Sequence, residues 1–167
     1  KIRNKENDKV NILLIDSGKN SSKLKRIKDS IKHIDNEEFL VTYGDGLADI
    51  NLKNYLKIYK KNKKAIIACK NINSQFGHLK LQGNNIISFK EKPLMEEPIN
   101  IGYYFFLKTL FNKYFKKNYE LEDKFIKSLI RNKKIVAFKH KGFFFNIDRK
   151  KDLDNIKKNY KKIIKNI

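Results

Sequence analysis

Phe39-Leu40-Val41-Thr42-Tyr43-Gly44-Asp45-Gly46-Leu47-Ala48-Asp49 is an apolar run that stops on a glycine-flanked aspartate. Its β-branched and aromatic residues predict a strand over Phe39–Tyr43, which Gly44-Asp45-Gly46 ends. Upstream, Val10–Ile15 is a shorter apolar run, read as a strand and closed by the turn-forming Asp16-Ser17-Gly18-Lys19-Asn20. Leu24, Ile27, Ile31 and Ile34 then recur at helical spacing. Downstream, Leu52, Leu56 and Tyr59 fall on one face of a second helix, with Asp49 or Asn51 placed to cap it. Ala65–Cys69 is a third strand. Strand and helix alternate, the signature of an α/β domain with parallel pairing.

Beyond Cys69 the rhythm changes. Gly77–Leu81 and Ile86–Phe89 flank Gly83-Asn84-Asn85 and read as a hairpin. Ile99–Leu107 is a long apolar strand, followed by helices over Thr109–Phe115 and from Glu120 or Leu121 to about Asn132. Strands Ile135–Lys139 and Phe143–Ile147 close the sheet, and a basic helix runs from Arg149 to about Ile164. No repeat, linker or boundary interrupts the chain, so residues 1–167 are read as one domain. The expected fold is a mixed α/β one, with a mainly parallel sheet and helices on both faces.

At 167 residues the chain is long enough to bury a sizeable core, and 40% hydrophobic residues exclude general disorder. No apolar run reaches the length that crosses a bilayer, and Lys1–Lys9 is polar, unlike a secretory leader. The single cysteine, Cys69, sits in a strand-like run and reads as a packed thiol, without disulfide or zinc spacing. A cytoplasmic address fits these features. The formal charge of +21 invites a nucleic-acid partner. Against that, only four of the 39 basic residues are arginine (Arg3, Arg26, Arg131, Arg149), and the lysines are spread along the whole chain. Base recognition leans on arginine forks, so no specific nucleic-acid partner and no membrane partner is expected.

The residues that carry chemistry are Asp45 and, far downstream, Asp148 in Lys141-Gly142-Phe143-Phe144-Phe145-Asn146-Ile147-Asp148. Each follows an apolar run, and Ser88-Phe89-Lys90-Glu91-Lys92-Pro93 lies between them. Ligands of α/β proteins collect outside the carboxyl ends of the strands. Two carboxylates delivered there, with a lysine nearby, could hold Mg2+ and a phosphate. Taken singly, each has a plainer reading. Asp45-Gly46 is a turn, Asp148 a helix N-cap and Lys92 a solvated loop lysine, while Asn100 and Gly102 are packing or turn residues. His33 reads as helix surface and His78 and His140 as strand residues, too scattered for a metal or a catalytic triad. No glycine-rich phosphate loop is present.

In order, these words resemble the sugar-1-phosphate nucleotidyltransferases, and most of all their glucose-1-phosphate cytidylyltransferase branch. The matching stretches are Asn11–Gly18, Phe39–Asn51, Phe76-Gly77-His78-Leu79, Ile87–Pro93, Ile99–Phe105 and Lys139–Phe143. The resemblance implies a nucleotide-diphospho-sugar transferase fold and transfer of a nucleotidyl group from CTP, or another NTP, to a sugar 1-phosphate such as glucose 1-phosphate. It implies that Asp45 and Asp148 hold a catalytic Mg2+ and that Gly44 gives a backbone contact to substrate. Lys92 would offset the sugar phosphate, Glu91 would meet sugar hydroxyls, and Asn100 and Gly102 would line the sugar pocket. A homo-oligomer is left open.

The chain also departs from the family words. The glycine-rich loop, its arginine and the proline-lysine-proline word are missing, so roughly the first third of a family member is expected to be absent. With it goes the NTP-binding loop, and a chain in this form is expected to be inactive alone. Ser17 stands for a threonine, Lys19–Lys23 for a threonine- and glycine-rich stretch, Phe144-Phe145 for Trp-Gln, and Arg149 for a threonine. These differences leave a uridylyl- or thymidylyltransferase, and a non-catalytic remnant that binds or assembles, as the other readings.

Overall fold

The computed structural model describes residues 2–3 and 9–164, with side chains for residues 11–158. In chain order the strands are β1 Ile2–Arg3, β2 Lys9–Val10, β3 Glu38–Thr42, β4 Gly46–Ala48, β5 Ala65–Lys70, β6 His78–Gln82, β7 Asn85–Lys90, β8 Ile99–Leu107, β9 Ile135–Lys139 and β10 Phe144–Asn146. The helices are α1 Lys23–Ile31, α2 Leu52–Asn62, α3 Lys108–Tyr114, α4 Lys127–Arg131 and α5 Lys150–Ile164, with a π-helical segment, Leu121–Ile126, running into α4. Among the described residues no helix is long and apolar enough to cross a membrane.

The chain falls into two compact units, Lys1–Glu37 with Lys108–Asn132 and Glu38–Leu107 with Lys133–Ile167. In the first, Ser22 caps α1 by accepting from the Lys25 amide at 3.2 Å. The Phe111 and Phe125 rings lie 4.7 Å apart. Arg26 spans the turn before the helix, donating to the carbonyls of Gly18, Lys19 and Ser21. The strand expected over Val10–Ile15 is not formed. β2 ends at Val10, and Ile12, Leu13 and Leu14 are 55%, 61% and 90% exposed. An apolar run becomes a strand only when a neighbour takes its backbone hydrogen bonds; Val10 pairs with Ile2, but among the described residues none pairs with Asn11–Ile15.

The second unit is built on a four-stranded sheet in the order β3-β8-β5-β9. β3 and β5 each pair antiparallel with β8, and β9 runs parallel to β5. Three of the four strands therefore point one way, with β8 set against them, which makes the fold mixed α/β. Tyr55, Ile66, Ala68, Ile101 and Phe105 form the buried cluster, and Ile58, Tyr59, Val136 and Phe138 pack against it. Burying each large apolar side chain of such a cluster contributes about 1.5–3 kcal/mol.

Helix α2 meets this cluster through Tyr55, Ile58 and Tyr59, whereas Leu52 and Leu56 are 51% and 47% exposed. The buried face is thus turned from the one that leucine spacing suggested, because Tyr55 has both the area and a hydroxyl that reaches the Tyr103 carbonyl at 3.3 Å. Asn51, not Asp49, caps α2, accepting from the Asn54 amide at 3.1 Å. Cys69 is buried as expected, and desolvation pushes its thiol pKa up.

Two further ladders stand apart from the main sheet. β6 and β7 form the expected hairpin, with Leu79, Leu81, Ile86, Ile87 and Phe89 exposed. β10 does not close the main sheet. It pairs antiparallel with β4 in a ribbon of three residue pairs, Phe144↔Ala48, Phe145↔Leu47 and Asn146↔Gly46. Phe144 packs on the core and Phe145 faces out, the alternation that a strand imposes.

Candidate active site

One end of the β4–β10 ribbon carries both sequence-predicted aspartates. Asp45 occupies the turn between β3 and β4, and Asp148 follows β10 at the start of α5. The Ile147 amide donates to the Asp45 carbonyl at 2.8 Å, which extends the ladder by one bond and sets the two turns side by side. Both aspartates are exposed, and both line one cavity of about 460 Å3. Asn146 steadies the second of them, its Nδ2 donating to Asp148 Oδ2 at 2.6 Å.

The opposite wall comes from β8. Ile67 of β5 pairs with Tyr104, whereas Cys69 pairs with Asn100, so Ile101, Gly102 and Tyr103 bulge opposite Ala68 alone. Gly102 makes this bulge with φ +76, and a Cβ there would stand 2.8 Å from Cδ2 of Tyr43. Asn100 braces it: Oδ1 accepts from the Gly102 amide at 2.9 Å and Nδ2 donates to the Tyr104 hydroxyl at 2.6 Å. Tyr103 ties the ribbon to the sheet, donating to the Gly46 carbonyl at 2.9 Å and accepting from the Ala48 amide at 3.1 Å. Asn100 and Gly102 both line the cavity, and both also shape it.

The remaining predicted residues lie outside that lining. Gly44 is exposed beside Asp45, with open space where a Cβ would be. Glu91 and Lys92 are solvent-facing, their charged atoms 3.8 Å apart. Their loop is tied back to the wall, because Ser74 donates to the Pro93 carbonyl at 2.8 Å and Met95 to the Ile72 carbonyl at 3.0 Å. Ile72 and Gln75 of that tether line the cavity. Lys92 has φ +45, in the left-handed region. Lys63, also positive in φ, ends helix α2, where such a conformation is ordinary. Lys92 precedes a proline instead, a place that favours extended backbone, so its conformation is strained.

Sequence reasoning missed two features. Among the described residues the only cation lining the cavity is Arg149, which leans on Asp152 at 3.4 Å while its amide donates to the same carboxylate at 2.9 Å. This one-way cap at the start of α5, with Arg149 donating and Asp152 accepting, had a sequence signal in the acid three residues after Arg149. The Arg149 guanidinium holds the Asp152 carboxyl below the usual carboxylate range. The second feature is His140, which follows β9 and is buried, with Nε2 3.0 Å from Asp49 Oδ1. No local pattern announces a contact so distant in sequence.

Chemically, the described residues that line the cavity offer carboxylate oxygens and no thiol or imidazole. Among the described residues no group of three or more His, Cys, Asp or Glu could by itself hold a metal ion. Two oxygen donors beside open space suit a hard cation that completes its shell with water and substrate phosphates, the habit of Mg2+.

A glucose-1-phosphate cytidylyltransferase of Salmonella typhi is 30% identical over 156 residues, 90% of this chain and 60% of the relative. A probable glucose-1-phosphate cytidylyltransferase of Bacillus subtilis is 32% identical over 151 residues, 88% of this chain and 59% of the relative. This chain thus spans about 60% of the length of these curated relatives. Among solved structures, a UDP-glucose pyrophosphorylase complexed with UDP-glucose superposes with a TM-score of 0.60 over 87% of this chain and 64% of its own, at 21% identity, a likeness of fold. The family model for nucleotidyl transferases matches residues 1–157. With the ordered words of its sequence and the mixed sheet that carries them, the chain belongs to the nucleotidyl transferase family.

Proposed function

We propose that the protein serves in nucleotidyl transfer from a nucleoside triphosphate to a sugar 1-phosphate, with CTP and glucose 1-phosphate as the substrates. The observation that carries this reading is the meeting of Asp45 and Asp148, distant in sequence, on one cavity and one hydrogen-bonded ribbon. In the reaction an oxygen of the sugar phosphate bonds to the α-phosphorus, the bond from that phosphorus to the bridging oxygen breaks, and pyrophosphate leaves. The nucleophile is already an anion, so no general base is required, and catalysis rests on positioning and charge.

Asp45 and Asp148 hold Mg2+ in this reading. Bound there, the ion offsets negative charge on the phosphates. Lys92 offsets the sugar phosphate from the tethered loop, and Glu91 meets the sugar hydroxyls. Gly44 offers its backbone, in a turn with room for a substrate to approach. Asn100 and Gly102 shape the sugar pocket. No segment of this chain offers a glycine-rich phosphate loop, so we assign it the metal and sugar-phosphate half of the site.

The test is calorimetric titration of the 167-residue chain with glucose 1-phosphate and with each NTP, with and without Mg2+, alongside pyrophosphate release. Sugar-phosphate binding that strengthens with Mg2+, weak NTP binding and negligible turnover are expected. No sugar-phosphate binding under any condition would sink the reading. Turnover at ordinary enzyme rates would overturn the division of labour.

A further inference from the structure

The β4–β10 ribbon has a second end, and its chemistry is unlike the first. A ribbon of three residue pairs is too short to hold its own register. At the aspartate end a single backbone bond, from Ile147 to Asp45, closes it. At the far end Asp49 leaves β4, and Gly142-Phe143 enters β10. There Asp49 Oδ1 lies 3.0 Å from His140 Nε2, and the same nitrogen lies 2.8 Å from the Phe143 carbonyl oxygen. The imidazole is 4% exposed, and the His140 amide donates to the Cys69 carbonyl of β5 at 2.8 Å. Lys70, also of β5, donates to the Gly142 carbonyl at 2.5 Å. Gly142 has no room for a side chain, since a Cβ would meet Asp49 Oδ1 at 2.0 Å.

We infer that Asp49, His140 and Gly142 are positioning residues that pin the ribbon's register and so set Asp45 against Asp148. This rests on the metal reading of those two aspartates given above. Asp49 Oδ1 is sealed from solvent and makes no hydrogen bond of good geometry, although His140 Nε2 stands at ion-pair distance. As packing alone this is a poor choice, because a covered carboxylate oxygen without a directed donor is costly, and apolar residues would fill the space better. What the arrangement supplies is uniqueness. The carboxylate fits only over a glycine and only beside an imidazole anchored to β5. Slipping β10 by one residue would turn its side chains to the other face and carry Asp148 about 3.3 Å along the strand. Displacements of about 1 Å already matter for positioned groups. The pin acts through the ribbon, since Asp49, His140 and Gly142 are not among the residues that line the cavity of Asp45 and Asp148.

Hydrogen exchange and Mn2+-induced NMR line broadening on the 167-residue chain test this. In Asp49→Ala, His140→Ala and Gly142→Ala the Ile147 amide should exchange at least about tenfold faster, while the Phe105 amide of β8 keeps its protection. The Mn2+ concentration that half-broadens the Asp45 and Asp148 signals should rise by a similar factor. Should an alanine variant unfold, Asp49→Asn, nearly the same in shape, is measured the same way and should show both changes more weakly. Unchanged Ile147 exchange, or unchanged Mn2+ broadening, in folded variants would overturn the pin. Absence of Mn2+ broadening in the unsubstituted chain would instead sink the metal reading and the inference with it, a failure visible before any variant is made.

Discussion

Asp45 and Asp49 stand four residues apart, at the two ends of one short ribbon, and their surroundings could hardly differ more. Asp45 is exposed on a cavity whose wall carries Asp148, Asp152 and Arg149. Asp49 is largely covered and set against a buried histidine. The same side chain is left free to meet a ligand at one end and spent on geometry at the other. The difference lies in what surrounds each: open turns with small residues at one end, a glycine and an anchored imidazole at the other. In the reading proposed above, folding stability and ligand chemistry are divided between the ends, and substitutions at each should separate the two.

The largest effect is expected at the open end. Asp45→Asn and Asp148→Asn should each lower nucleotidyl transfer by a factor on the order of 10² to 10³ in a catalytically competent protein, the usual cost of losing a positioned charge stabiliser. The circular dichroism spectrum should not change, because both carboxylates are exposed. Pyrophosphate release across a Mg2+ titration is the measurement. Near-full activity of both variants at low Mg2+ would reduce the aspartates to turn and cap residues.

Much of this architecture was legible from local signals. The strands Ile99–Leu107 and Ile135–Lys139 lie where the apolar runs put them, and the β6–β7 hairpin follows its glycine-bearing turn. What was not legible depends on partners distant in the chain. The Val10–Ile15 run has the composition of a strand, but past Val10 it finds no neighbour among the described residues, so Asn11–Ile15 stays open. The α2 face was misread because leucine spacing says nothing of a tyrosine hydroxyl reaching β8. β4 is only three residues long, and its existence depends on β10. At the site, the words marked Asp45, Asn100, Gly102 and Asp148, which share a cavity, whereas the Asp49–His140 pair is a tertiary fact that no motif records.

A smaller effect is expected where the open end takes its shape without charge. Gly102→Ala forces a side chain onto a backbone at φ +76, against the Tyr43 ring. A strained backbone position of this kind typically costs about 1–3 kcal/mol. Urea unfolding should show that loss, with weaker sugar-phosphate binding alongside. Full stability together with full binding would mean that the bulge does not shape the pocket.

Lys92→Gly should separate the two roles in the opposite direction. A non-glycine residue in the left-handed region costs roughly 1–2 kcal/mol, so glycine should stabilise the fold by up to about that amount. The apparent KM for the sugar phosphate should meanwhile rise severalfold, because the ammonium is lost. A gain in stability with KM unchanged would leave the strain real and the lysine uninvolved.

The smallest effect concerns Asp152, which borders the same cavity without being assigned to metal or substrate. Its hydrogen bond from the Arg149 side chain is the main cause that lowers its pKa, and bonds from the backbone add to this. A carboxyl lowered in the folded state contributes stability above its unfolded pKa and loses it as pH falls through the folded value. The difference in stability between the unsubstituted chain and Asp152→Asn should therefore be constant near neutrality. It should close as pH drops below the ordinary carboxylate range. The pair is solvent-facing, so the difference should also shrink with added salt. Because the same carboxylate accepts from the Arg149 amide, the exchange rate of that amide reports the cap directly. Measured against the intrinsic exchange rate at each pH, its protection should fall on acidification in the unsubstituted chain and already be low at neutral pH in the variant. A stability difference that persists unchanged into acid would show that Asp152 acts by packing, and that the start of α5, one residue from Asp148, is held by something other than this charge.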